Sequence, residues 1–348
     1  MLSQTLDIER AFDTLVLWEV WMRTLGGDHG LVSPTNGARP RLSGMGGWDD
    51  EERAVLVALL RVRPDGMSWP QIAAEVAERG SARALWEETR PQALFASDGP
   101  DDAELLAAAR AEVDQWRSAD FEFLTFLDDG YPAQLREVHQ MPPVLFARGT
   151  LVPGESAVSV VGSRGASPAA LRTAAEIACA LTADGVTVLS GLAEGIDTAA
   201  HEATLAMGGR TVAVIGTGIT KYFPAANRAL HEKIAANGLL LSQFWPNTPP
   251  TKQTFPMRNA TMSAYGRATV VVEAGEQSGA RIQARSAVAH GRPVVLLDAV
   301  ARGTNWGRRL CDEPGVFVAT DAASALRLVR DVLDESAQLA ELLAMVGE

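Results

Sequence analysis

Seven short apolar runs, separated by segments of helical period, organise the chain from residue 155 onward: 157–161, 186–189, 211–215, 239–242, 268–273, 293–297 and 316–319. Several are continuous rather than alternating, as expected for strands covered on both faces. The gaps between them suit crossover helices, and right-handed crossovers turn such an alternation into a doubly wound parallel α/β sheet. A ligand of such a sheet lies beyond the carboxyl ends of its strands. The first gap carries clear helix signals. Ser167-Pro168 pairs a cap residue with proline at the first helical position, Leu171, Ala174, Ala178 and Leu181 share one face, and Gly185 ends the segment.

The chain before residue 150 reads differently. Apolar residues recur at helical spacing over 9–25, 48–62, 68–79 and 101–117, and the stretch 26–47, rich in Gly, Pro, Ser and Asn, predicts a long loop. An alternating run at 121–127, closed by Asp128-Asp129-Gly130-Tyr131-Pro132, predicts a strand and turn, and 141–149 a second strand. Length, composition and these patterns together predict a helical N-terminal domain over 1–118 and an α/β domain over 119–330. A tail over 331–348 is too short for a winged helix.

Charge narrows the function. The 348 residues carry a formal charge of −12, which alone argues against a nucleic-acid partner. Residues 1–150 hold 14 Arg and no Lys against 25 acids, a net −11, whereas residues 151–330 hold 17 basic residues against 13 acids, a net +4. A polyanion site therefore belongs in the second half, where all three lysines, Lys221, Lys233 and Lys252, also lie. Arginine-biased composition gives the same imbalance, and the two readings stand equal at this point. Cys179 and Cys311 are isolated, which fits a reducing compartment and predicts neither a disulfide framework nor a metal cluster. No apolar run approaches the roughly 18 residues of a membrane helix. The first residues lack the features of a signal peptide, so the expectation is a cytoplasmic protein without cofactor or metal.

Two turns carry the candidate chemistry. In Val161-Gly162-Ser163-Arg164-Gly165 small residues open the backbone to a ligand, and Arg164 offers a planar fork matched to phosphate oxygens. Any strand-to-helix loop can contain such a turn, so a second is needed. Ser190-Gly191-Leu192-Ala193-Glu194-Gly195 supplies it, ahead of a helix begun near Asp197 whose free N–H groups and positive dipole end favour an anion. Asp197 reads as the helix start, and His201 as a hydrogen-bonded packing histidine in preference to a catalytic one.

Further motifs follow in order: Gly216-Thr217-Gly218 with Phe223-Pro224 and Asn227, then Phe255-Pro256-Met257-Arg258-Asn259, then Glu273-Ala274 with Ser278-Gly279. As an ordered set over about 121–319 they resemble the DNA-processing protein A (DprA/Smf) family of natural transformation. The resemblance implies an extended Rossmann-like sheet, mostly parallel, preceded by a small helical (SAM-like) domain. It implies a mediator of DNA recombination with no covalent chemistry, which binds and protects single-stranded DNA, displaces single-strand-binding protein, loads the RecA recombinase and works as a homodimer. Carried onto this sequence, the strand contacts fall on Gly162, Ser163, Arg164, Ser190, Gly191, Leu192, Ala193, Gly195, Lys252, Phe255, Arg258, Asn259, Ser278 and Gly279. Phosphates would lie in the two glycine turns under Arg164, Lys252 and Arg258. Phe255 would stack on a base, or else plug the core before a turn. The dimer is expected through residues 273–310, where Ile282, Val288 and Trp306 supply apolar surface.

The sequence departs from the family pattern in places. Ala260 stands where relatives usually carry a second arginine, Thr220 where they usually carry an aspartate, Glu194 adds an acid beside the expected phosphate site, and Arg63-Pro64-Asp65-Gly66-Met67-Ser68 replaces a Gly-rich hairpin. These departures leave two alternatives open. One is a nucleotide-sensing module of a bacterial defence system, with the same cradle and no catalysis. The other is a phosphoribohydrolase resembling the lonely-guy enzymes, which needs a carboxylate near the developing oxocarbenium ion. The position expected to hold that acid is Gln283, with Glu273 or Glu276 as substitutes.

Overall fold

The computed structural model describes residues 48–90 and 101–346, which belong to one compact unit. The helix predicted over 9–25 and the loop over 26–47 lie outside them. Helix α1 (Asp50–Val62) is capped by the Asp49 carboxylate on the Glu52 N–H and carries three acids in its first turn, as the helix dipole favours. Helix α2 (Trp69–Arg79) starts with a reciprocal Ser68/Gln71 capping box. Helix α3 (Ala82–Thr89) was not predicted. Its start is fixed from a distance: the Glu52 carboxylate on α1 accepts from Ser81 Oγ at 2.8 Å, from the Ala82 N–H at 2.6 Å and from the Arg83 N–H at 3.2 Å. Helix α4 (Asp102–Arg117) completes this all-helical stretch.

Among the described residues nine strands form one sheet. They are β1 (Glu122–Thr125), β2 (Val144–Gly149), β3 (Ala157–Val161), β4 (Thr187–Ser190), β5 (Thr211–Val214), β6 (Leu239–Ser242), β7 (Ala268–Val271), β8 (Val294–Leu297) and β9 (Val316–Ala319). Their order is β1-β2-β6-β5-β4-β3-β7-β8-β9. From β6 across to β9 every pairing is parallel, while β1 with β2 and β2 with β6 are antiparallel. The strand ends differ from the predicted ones by no more than two residues, except that β2 starts three residues later than expected. The chain runs outward from β3 to β6 and then returns to β7 on the other side of β3, so the order reverses between β3 and β7.

The crossovers are α5 (Pro168–Ala183), α6 (Ile196–Ala206), α7 (Arg228–Asn237), α8 (Thr254–Tyr265), α9 (Ala280–Ala289), the short α10 (Asp298–Gly303) and α11 (Asn305–Leu310), and the final α12 (Ala322–Val346). The tail expected beyond residue 330 is the continuation of α12. Alternate strand residues feed two cores. Val158, Val160, Val188 and Val270 pack with Ala174, Ala178 and Leu181 of α5 and Ala325 and Val329 of α12. On the opposite face Val161, Leu189, Val212 and Val271 pack with Met262 and Tyr265 of α8 and Ala284 of α9. That second core is continuous with Leu56, Leu59, Ile72, Leu85 and Trp116 of the all-helical stretch. At the junction Trp245, in the turn after β6, stacks on Trp116 with ring centroids 5.5 Å apart, meets Trp69 edge-on at 5.0 Å, and lies under the Arg61 guanidinium at 4.0 Å. The helical stretch is thereby fixed to a loop at the carboxyl edge of the sheet.

Candidate nucleic-acid interface

The reversal between β3 and β7 places two loops side by side at the carboxyl edge, where open α/β sheets bind ligands. Residues 162–167 follow β3 and residues 272–279 follow β7. The Ser163 N–H donates to the Glu273 carbonyl at 2.7 Å. The Glu273 side chain turns back to the start of α5, where its carboxylate accepts from the Ser167 N–H at 2.9 Å and from Ser167 Oγ at 2.7 Å. The N-terminus of α5, beside the first predicted phosphate turn, therefore holds a carboxylate of the chain itself.

The second turn is filled in the same way. Leu192 is buried and left-handed, with φ of 58°. The turn closes on Asp197, whose Oδ2 accepts from the Gly191 N–H at 3.1 Å and the Ala193 N–H at 3.3 Å. Below it lies Arg258, presented by α8 and also buried, which donates through Nη1 to the Gly191 carbonyl at 2.5 Å and the Val214 carbonyl at 2.8 Å. Burial raises the Asp197 pKa above the usual carboxylate value, against the pull of Arg258 and the two N–H groups. Burial also brings the Arg258 guanidinium down to about 10, with Asp197 opposing that shift and Arg164 adding to it. His201 is fully buried and its Nδ1 meets Thr211 Oγ1 at 2.7 Å. The Thr211 hydroxyl donates to the Val188 carbonyl, so His201 is assigned the Nδ1–H tautomer. Burial, then His231 and Arg258, bring its pKa down to about 3, which suits the packing histidine expected from the sequence.

The glycines of these turns sort into two kinds. A Cβ on Gly191 would coincide with the Arg258 guanidinium. One on Gly162 would meet Ile196 Cγ1 at 2.6 Å and the Glu273 carbonyl at 2.7 Å, one on Gly216 the Phe255 ring at 2.6 Å, and one on Gly195 the carbonyls of Ser163 and Arg164. Gly195 also has φ of 80°. These glycines make room for the chain's own atoms. Gly165, Gly275 and Gly279, in contrast, face open space.

What remains at the surface is a set of side chains. The Arg164 guanidinium lies 5.5 Å from the centroid of the Phe255 ring, and Phe255 meets Phe223 at 5.5 Å with the rings tilted by 46°. Phe223 and Met257 are among the large apolar residues left exposed, at 36% and 45%. Exposed Arg164, Lys221, Arg228 and Lys252 belong to the loops and helix starts of the same edge, with Arg228 over the Tyr222 ring at 4.6 Å. Glu194 is exposed there too.

The sequence-derived contact set divides accordingly. Arg164, Lys252, Phe255, Ser278 and Gly279 remain at or near the surface, whereas Ser190, Gly191, Leu192, Arg258 and Asn259 are buried. Arg258, expected to hold phosphate, is buried with its Nη1 on two backbone carbonyls and its Nε on Asn259 Oδ1. Ser190 Oγ donates to the Val160 carbonyl at 2.7 Å and ties β4 to β3. Asn259 Oδ1 accepts from Arg258 Nε at 3.0 Å and its Nδ2 donates to the Gly279 carbonyl at 3.3 Å, which anchors the loop after β7. The N–H groups of Ser163 and Ala193 are taken by Glu273 and Asp197, and Gly162, Ser163, Ala193 and Gly195 are half-buried, with the two glycines packed against the chain's own atoms. Phe255 lies in the first turn of α8, half-buried, with one part of its ring against Gly216. Sequence reasoning left Lys221, Phe223 and Arg228 out of the contact set. Their position directly after β5 was the available signal.

Other expectations shift as well. Trp306, expected as dimer surface, is buried and donates to the Gly275 carbonyl at 3.1 Å. Thr220 donates to the Pro246 carbonyl at 2.6 Å and holds the loop after β6. Gln283 is buried in α9, Glu276 accepts from the Asn305 N–H at 2.5 Å, and Glu273 is engaged with Ser167. Among the described residues no group of three or more His, Cys, Asp or Glu side chains is arranged to hold a metal ion, and no helix is long and apolar enough to cross a membrane.

Comparison with known proteins agrees with this architecture. The family model described as DNA recombination-mediator protein A matches residues 122–321. Protein Smf of a Synechocystis strain is 41% identical over 181 residues, which cover 51% of this chain and 46% of that protein. DNA processing protein DprA of Streptococcus pneumoniae is 39% identical over 189 residues, covering 53% of this chain and 67% of the relative. The chain thus spans about half to two thirds of the length of the curated relatives it matches. The X-ray structure of the Streptococcus pneumoniae protein superposes with a TM-score of 0.62 at 29% identity, covering 80% of this chain and 97% of that one. The Helicobacter pylori protein, described for its single-stranded DNA binding mode, shares the fold with a TM-score of 0.52 at 22% identity, over 61% of this chain and 97% of its own.

Proposed function

Because the chain belongs to the DNA recombination-mediator protein A family, we propose that it binds single-stranded DNA along the carboxyl edge of its sheet and acts there as a recombination mediator. The observation that carries the reading is the aromatic pair of exposed Phe223 and half-buried Phe255, with Arg164 over the Phe255 ring. A base freed from a duplex offers a π face to such a pair, and the guanidinium adds cation–π attraction and a phosphate contact. Lys221, Arg228 and Lys252 supply further cations to a backbone running across the strand ends. Stacking needs no particular base, so the binding is indifferent to sequence.

In this reading the bound strand is protected, single-strand-binding protein is displaced and RecA recombinase is loaded, with no covalent step. Residues 1–118 serve as a helical N-terminal domain, 119–330 as the strand-binding domain, and two copies act together as a homodimer. A labelled dT oligomer titrated at several salt concentrations tests the reading. Its affinity falls as salt rises, by about 0.7 in log–log slope for each phosphate contact. An oligomer that stays unbound at low salt overturns it. RecA-catalysed strand exchange on DNA coated with single-strand-binding protein tests the mediator step, which is lost if added protein gives no acceleration.

A further inference from the structure

We propose that Glu273 and Asp197 set the ligand specificity of this edge: they exclude the terminal phosphate of mononucleotides and admit nucleic acid only as an internal stretch of strand. The inference deepens the single-stranded DNA reading and rests on it.

A phosphate monoester carries up to two negative charges and three acceptor oxygens, and a Rossmann-like sheet normally meets it with free N–H groups at a helix N-terminus. Two such places lie at the carboxyl edge of this chain, the start of α5 and the turn ahead of α6, and in each a carboxylate of the chain sits on backbone N–H groups. Glu273, reaching across the β3/β7 reversal, places one carboxylate oxygen on the Ser167 N–H and the other on its hydroxyl. Asp197 takes the N–H groups of Gly191 and Ala193. The Ile196 N–H donates to the Ser163 carbonyl at 3.3 Å, which locks the two turns to each other. At Gly162, Gly191 and Gly195 the room that a backbone-hugging phosphate would use is filled by Ile196, by Arg258 and by the Ser163 and Arg164 carbonyls.

A monoester dianion approaching either site meets a carboxylate of like charge already seated on backbone N–H groups. A phosphodiester asks for less. It carries one charge and two free oxygens, and a single exposed side chain such as Arg164 or Lys252 satisfies it. Bases on either side of that phosphodiester then settle on the aromatic pair. A mononucleotide has one base to stack and its only phosphate has no cradle, so it gains little.

Calorimetric titration of the full chain with a dT oligomer, with thymidine 5′-monophosphate and with inorganic phosphate tests the proposal. The wild type binds the oligomer and neither of the others, and a 5′-phosphorylated oligomer binds within twofold of its 5′-hydroxyl counterpart. Glu273→Ala, shown to be folded by circular dichroism, vacates Ser167 and gains at least tenfold in affinity for thymidine monophosphate. Binding of monophosphate by the wild type, or a clear preference for the phosphorylated oligomer, overturns the proposal without any variant. A folded Glu273→Ala protein with no gain removes Glu273 from it. Failure of the oligomer to bind overturns the DNA reading itself, so the two failures are told apart.

Discussion

The guanidinium of Arg258 occupies the space that a side chain on Gly191 would need, while its Nη1 donates to the Gly191 carbonyl at 2.5 Å. Each residue type requires the other. The pair joins the turn after β4 to α8, and Asp197 stands beside it as a counter-charge. Removing the cation leaves a buried carboxylate uncompensated and two carbonyls, those of Gly191 and Val214, without their donor. Breaking a buried charge arrangement from one side typically costs about 3–5 kcal/mol. Arg258→Met is expected to lose stability in that range by urea denaturation. A loss below about 1 kcal/mol would show that the turn does not depend on it.

Gly195 faces a backbone obstacle, in contrast to the side chain that fills the space at Gly191. Its φ is 80°, and a Cβ there would run into the carbonyls of Ser163 and Arg164. A left-handed non-glycine residue and a backbone clash each carry a cost, and together they come to about 3 kcal/mol or more. Gly195→Ala should therefore lower the thermal midpoint markedly, whereas Gly165→Ala, whose Cβ would face open space, should change it little. Equal midpoints for the two variants would refute the distinction between filled and open glycines.

For strand binding, Phe255→Ala removes one stacking face and should weaken dT-oligomer affinity by about 1–3 kcal/mol with little change in salt slope. Arg164→Ala should do the reverse, flattening the log–log salt dependence by about 0.7. Both residues lie at or near the surface, so circular dichroism should be unchanged. Fluorescence anisotropy at three salt concentrations separates the two effects, and identical signatures for both variants would contradict their different roles.

Acid should destabilise the fold earlier than its carboxylates alone would. Burial, then His139 and Arg292, bring His290 down to about 4, and His201 lies at about 3. In the unfolded chain both titrate near about 6.5. Below that pH the unfolded state takes up protons that the folded state does not, so stability is full above about 6.5 and falls as pH drops. Asp197, raised by burial, acts in the opposite sense: its cost is present above its folded pKa and is relieved as pH falls through it. The urea midpoint should fall between about pH 6.5 and pH 5, above the usual carboxylate range, and His290→Gln should remove part of that slope. A flat midpoint across this window would contradict the burial of both imidazoles.

The parallel part of the sheet was legible because several of its strands are continuous apolar runs, and α5 because Ser167-Pro168 and Gly185 mark its ends in the sequence itself. Helix α3 was not: Ser81 caps the Ala84 N–H locally, but the N–H groups of Ala82 and Arg83 are satisfied by Glu52, some thirty residues earlier. Helix α8 was legible only as the occupant of the gap between two strands. From Arg258 to Tyr265 it is buried on nearly every side, so it has no polar face to reveal the period. The site was legible in place but not in detail. A glycine that leaves room for a ligand and one that leaves room for an arginine are the same letter, and only Arg258 shows which Gly191 is. Glu273 likewise gives no local hint that it returns to Ser167, 106 residues away in the chain.

Spending the backbone donors of both turns internally has an evolutionary consequence. A phosphate held by main-chain N–H groups ties ligand choice to the fold, so that neither changes without the other. Here the framework around Asp197, Glu273 and Arg258 is sealed, and the outward-facing residues Arg164, Lys221, Phe223 and Lys252 are ornaments upon it. Substitution at those positions can drift, strengthen or weaken attachment to a strand across lineages while the architecture stays fixed.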